Sequence, residues 1–183
     1  MKIITIVIIA LGTCFDLSAQ NIYTDKEGKV SFYSRTPLED IEAHTTQALG
    51  IINLDKGSVG VSILIKSFSF KKALMEEHFN ENYLESDIYP KAVFNGKIMG
   101  YDTLDFKRAG GLETTVVGNI KLHGVTQAIH GTVSFKPDGK SFKCSTKFKL
   151  KPADFNIKIP DLVSNNIAKE VEVTAEFLIS KKD

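Results

Sequence analysis

The sequence predicts a single-domain, all-β, antiparallel protein with one short helical insert. Three observations predict it. Apolar and polar side chains alternate with period two along most of the chain, which places every second residue on one face of a strand. Turn-forming clusters separate the alternating runs: Asp55-Lys56-Gly57, Gly110-Gly111 and Pro137-Asp138-Gly139. One stretch alone, residues 72–87, breaks the alternation. With 183 residues, 43% hydrophobic and 25% charged, the chain is long enough for one domain with a sizeable core.

The elements follow in chain order. Met1-Lys2 and the apolar run Ile3 to Leu11 have the form of a signal peptide, whereas a membrane helix needs about 20 apolar residues. Ala19 is the small residue that a signal peptidase requires before its cut. Residues 1–19 are therefore expected to be a leader and residues 20–183 the exported domain, periplasmic or secreted. Leu11-Gly12-Thr13-Cys14 supports a second reading, in which Cys14 carries a lipid anchor.

Val30 to Ser34 and Glu42 to Leu54 read as strands, as does the run that sets Val59, Val61, Ile63 and Ile65 on one face. Residues 72–87 place Leu74, Met75, His78 and Phe79 at i, i+1, i+4 and i+5, the pattern of one or two helical turns. Tyr89-Pro90 ends them, because a residue before proline is pushed out of the α region. Lys91 to Ile98 and Thr114 to Leu122 are the next strands. Within the first of these, Asn95-Gly96 taken alone predicts a tight hairpin turn.

Ile129, Gly131, Val133 and Phe135 then share a face, and across the turn at 137–139 so do Phe142, Cys144, Thr146, Phe148 and Leu150, with Lys143, Lys147 and Lys149 opposite. The last strand turns Val171, Val173, Ala175, Phe177 and Ile179 one way and Glu172, Thr174 and Glu176 the other. Some eight strands with short turns fit a sandwich or an up-and-down barrel, and periodicity alone does not separate the two.

The chemistry is defined mainly by exclusion. A formal net charge of +1, with both signs mixed throughout, offers no basic face for nucleic acid. His44, His78, His123 and His130 are scattered without metal-ligand spacing. There is no Gly-x-Ser-x-Gly elbow and no glycine-rich phosphate loop. Cys144 sits mid-strand, where a small buried hydrophobe is expected. The expectation is a non-enzymatic protein with no catalytic residues, no metal site and no required cofactor.

Three motifs carry a resemblance. The segment from Ala73 to Phe94, through His78-Phe79 and Tyr89-Pro90, resembles the signature of the YceI family. Leu122-His123-Gly124-Val125-Thr126 is similar to that family's next motif, and Asp154-Phe155-Asn156-Ile157 to its Asp-Phe-Gly-Ile, with Asn where Gly is usual. Met75-Glu76 and Ala153 stand where arginine-containing patterns are common. The resemblance implies an elongated, lipocalin-like antiparallel barrel of eight strands, exported in bacteria, that binds a polyisoprenoid chain such as an isoprenoid quinone or a prenyl lipid. It also implies that Asn95-Gly96 continues as strand.

On that reading Leu74, Met75, Phe79, Tyr83 and Leu84 form a lid over the barrel mouth, with Glu76, Glu77 and Glu81 in water. Phe70, Phe94, Phe135, Phe148, Phe155 and Phe177 contribute to the pocket, while His78 and His123 occupy motif positions. The expected partner is a long-chain lipid, with transient membrane contact. A second reading is a structural or stress-response barrel, packed solid, that acts through a protein partner.

Overall fold

Alternation decides the architecture wherever it is strong. The computed structural model describes residues 21–160, 163 and 165–181; the expected leader, its cut after Ala19 and the possible anchor Cys14 lie outside them. The strands are β1 (Ile22–Arg35), β2 (Asp40–Asn53), β3 (Ser58–Leu64), β4 (Ser69–Phe70), β5 (Lys91–Ile98), β6 (Leu112–Leu122), β7 (Val125–Asp138), β8 (Ser141–Leu150) and β9 (Val171–Lys181). Eight of them close an antiparallel ring in the order β1-β9-β8-β7-β6-β5-β3-β2, with β2 returning to β1, and the two-residue β4 extends one side of β2. Closure removes the sheet edges that a sandwich would keep, so the open choice between sandwich and barrel falls to the barrel.

Most differences from the sequence expectation concern where strands end. β1 begins eight residues earlier than the Val30 start, with register shifts on both sides of Gly28 where the strand bulges. The expected turn at 137–139 moves: Pro137 and Asp138 are the last residues of β7, paired with Phe142 and Ser141, and the chain reverses at Gly139, whose φ is 63°. A proline tolerates a strand terminus because little of the ladder needs its missing N–H.

Asn95-Gly96 lies in the middle of β5, paired on one side with β3 and on the other with β6. The reason is steric. A Cβ at Gly96 would sit 2.5 Å from the Phe94 ring, and one at Gly118, its partner on β6, 2.8 Å from the same ring. Two adjacent glycines thus clear a flat wall on which Phe94 lies, and that need outweighs the local turn preference of Asn-Gly.

Residues 72–87 form the predicted insert: α1 (Ala73–His78) followed by a wider, π-type turn over Phe79–Tyr83. The insert, the hairpin joining β6 to β7 and the connection from β8 to β9 all lie at one end of the barrel. The other end is filled. There Ile98, Phe142 and Ile179 are buried in one cluster with Ile52, Val116, Phe135 and Cys144, and Tyr23, Tyr101 and Phe106 pack over it. Tyr23 and Phe106 meet the Phe142 ring edge-on, with centroids 5.2 and 6.5 Å away.

Candidate functional site

Above the filled end the inward faces of the strands do not meet. They enclose a cavity of about 420 Å³ whose floor is the layer of Ile52, Val116, Phe135, Cys144 and Ile179, and whose walls are Val59, Val61, Ile63, Phe94, Ile120, Ile129, Val133, Phe148, Val171, Val173 and Phe177. Nearly every wall residue is one that the period-two pattern turns inward. Phe177 marks the boundary between the two regions, packing against both the filled cluster and the neighbouring cluster of Val30, Ala43, Ala48, Phe68 and Ala175. Its ring lies on two glycines: a Cβ at Gly28 would approach it to 2.2 Å and one at Gly50 to 2.7 Å.

At the mouth, Phe32, Phe68, Phe70 and Phe79 form one aromatic cluster. Phe79 stacks on Phe32 with centroids 5.4 Å apart and sits 5.0 Å from Phe70. The cluster binds the turn that follows α1 to β1 and β4. Helical geometry then divides the insert, because successive residues are rotated by about 100°. Met75, His78 and Phe79 face the cavity, as do Tyr83 and Leu84 from the following turn. Leu74 does not: it is 61% exposed, pointing away on the outer face of α1, which corrects its expected place in the lid. Glu77 and Glu81 are in solvent, but Glu76 is half-buried and its Oε2 accepts the N–H of Phe70 at 3.2 Å, tying the helix to β4.

His123 has a structural task. With Gly124 it forms the two-residue turn between β6 and β7, both residues at positive φ, as a type I′ hairpin requires. Its Nδ1–H donates to the Phe155 carbonyl at 3.0 Å, and its Nε2 pairs with the Glu85 carboxylate at 2.7 Å. One imidazole therefore joins the end of the insert, the β6–β7 hairpin and the turn Pro152–Phe155. In that turn Phe155 is only 1% exposed and lines the cavity, while Gln127 donates to the Asp154 carbonyl at 2.8 Å. Asn156 follows at φ 57°, in the left-handed region that asparagine tolerates, which accommodates Asn where the resembled motif has Gly. His78 stands exposed at the mouth, and no group of three metal-binding side chains occurs among the described residues.

Sequence reasoning missed the second cover of the mouth. Ile157, Ile159, Val163 and Ile167, in the connection from β8 to β9, also line the cavity. They follow no helix or strand period, so their apolar character in a polar loop was the sole available signal. Ala168 N–H donates to the buried Ser34 hydroxyl at 2.8 Å, and Glu39 joins this connection to the insert, accepting from Asn166 at 3.3 Å and pairing with Lys72 at 2.9 Å. Those two partners, Lys72 first, hold the Glu39 carboxyl below the usual carboxylate range. Cys144 lies in the cavity floor, where burial pushes its thiol up to about 12, leaving it protonated at neutral pH.

The comparisons agree with this architecture. The YceI-like domain profile matches residues 23–178. None of the curated protein sequences matches the chain. Among solved structures, a polyisoprenoid-binding domain from Saccharophagus degradans implicated in plant cell wall breakdown is similar with TM-score 0.71 and 15% identity, covering 89% of this chain and 99% of that one. BcnA of Burkholderia cenocepacia is similar with TM-score 0.69 and 20% identity, over 84% of this chain and 96% of that one. The YceI protein of Campylobacter jejuni gives 0.62 and 14%, over 77% and 85%.

Proposed function

Because the chain belongs to the YceI-like domain family, we propose that it is an exported binding protein that carries or stores a long-chain isoprenoid lipid, a quinone or a prenyl lipid, inside the barrel. The observation that supports this most directly is the hollow itself: an apolar cavity of about 420 Å³ beneath a cover that includes Met75 and Phe79. A solid barrel acting only through its surface has no use for such a space, since an empty apolar cavity destabilises the protein that contains it.

The energetics favour a carrier over a catalyst. Each buried CH₂ contributes about 0.8 kcal/mol, so one isoprene unit contributes on the order of 3–4 kcal/mol relative to water. A tail of several units saturates any measurable affinity. The competitor is therefore the bilayer, as apolar as the cavity, and the protein needs only to match it while keeping the tail from water in transit. Selectivity then comes from the shape of the wall and mouth. Met75 suits a mouth contact because its unbranched thioether adapts to different chains.

The test is native mass spectrometry, with organic extraction, of the protein purified from its own exported compartment. A co-purifying prenyl or quinone species at one per chain is expected. Protein that carries no apolar molecule and takes none up from vesicles doped with an isoprenoid quinone overturns the reading.

A further inference from the structure

The barrel wall is incomplete at one place. β7 and β8 are paired only from Val133 with Thr146 to Asp138 with Ser141. Continued in the same register, the ladder would join Thr132 to Lys147, Gly131 to Phe148, His130 to Lys149 and Ile129 to Leu150, but it does not continue. Meanwhile β7 stays paired to β6 as far as Val125, and β8 to β9 as far as Leu150. The two strands therefore separate as they run toward the mouth, leaving a gap between two otherwise intact sheets.

The gap is bounded at both ends. At its inner end the Thr146 hydroxyl donates to the Thr132 carbonyl at 2.8 Å, and at its outer end the Gln127 side chain donates to the Asp154 carbonyl at 2.8 Å. Between these ties the strands that wall the cavity are joined by no ladder pair. Residues of both faces line the cavity here: inward Ile129, Gly131 and Thr146, and also His130 and Ser145, which are exposed on the outer surface. A shallow depression on the outer wall begins at the same Ile129 and His130 and runs across Val117 to Lys97.

We propose that this gap is a side window through which the ligand enters and leaves, and that the ligand is an amphiphile whose polar end, a hydroxyl or a quinone carbonyl, passes the window last. This rests on the lipid-binding reading above. The window is amphipathic in the sense required: Ile129, Phe148 and Leu150 line its inner side, and His130, Ser145 and Lys149 are exposed on its outer side. A tail slides across it without crossing the mouth cover, where Phe32, Phe68, Phe70 and Phe79 are packed ring to ring.

Gly131 makes the idea testable. Its φ is not positive, and a Cβ there meets nothing closer than the Thr146 hydroxyl at 3.8 Å, so a branched side chain fits and fills the window. In Gly131→Ile, stopped-flow uptake and release of dansyl-labelled geranylgeraniol are both expected to slow at least tenfold, with Tm unchanged or raised. Unchanged rates, or a weakened Kd at unchanged uptake rate, overturn the window. A readout without lipid separates this from failure of the carrier reading. In a Cys14→Ser background, alkylation of Cys144 by N-ethylmaleimide is expected to slow in Gly131→Ile. Wild-type protein that takes up no probe overturns the isoprenoid reading, and the alkylation rates then decide the window alone, equal rates overturning it.

Discussion

The two ends of this barrel are built from the same alternating strands and the same kinds of side chain, yet one is solid and the other hollow. At the solid end Phe142 is enclosed by Tyr23 and Phe106, and Ile98 and Ile179 are each only 2% exposed. At the hollow end Phe148 and Val173, also inward, remain half-buried because the space before them is empty. The difference lies in what covers the strands. Aromatic residues from the loops at the solid end fold into the ring and fill it, whereas the insert and the β8–β9 connection lie across the other end without filling it. Hydrophobic residues thus do two jobs here: at one end they fill the ring, and at the other they line a hollow.

That contrast is breakable. Phe142→Ala removes a ring in contact on all sides and is expected to cost about 3–5 kcal/mol in urea unfolding, while Phe148→Ala, whose ring already faces a void, should cost less than about half as much. Equal losses would mean that the hollow end is core too. The boundary comes next. Gly28→Ala forces Phe177 off the wall, with an expected loss of about 1–3 kcal/mol, and adding Phe177→Leu should restore most of it; a loss that persists would place the strain in the β1 bulge instead.

The cavity floor predicts an effect of pH. Burial raises the Cys144 thiol to about 12 from its ordinary value near 9, with a smaller contribution from Asp25. The folded state therefore holds this proton more tightly, a stabilisation present below pH 9 and lost as pH rises toward 12. The stability advantage of wild type over Cys144→Ala should shrink by about 1.4 kcal/mol per pH unit across that window, and a constant difference would mean that the floor is wet. Met75→Ala at the mouth is expected to change stability least, by less than about 1 kcal/mol, while speeding loss of a bound prenyl chain several-fold. Equal effects on folding and retention would make Met75 core.

Strand identity and facing were legible in the sequence, because period two is a local property: Val171 to Ile179 and Phe142 to Leu150 turn inward as their alternation requires. The insert and its cavity-facing Met75, Phe79, Tyr83 and Leu84 were legible for the same reason, with Leu74 misplaced because α1 is too short for its periodicity to define a face. Closure into a ring, the hollow, the second cover from Ile157 to Ile167 and the gap between β7 and β8 were not. Each depends on how far apart strands distant in sequence finally stand, a distance set by the packing of Phe177 on Gly28 and Gly50 and of Phe94 on Gly96 and Gly118. A side chain's direction is written in its neighbours along the chain; whether anything stands opposite it is decided only when the whole wall has closed.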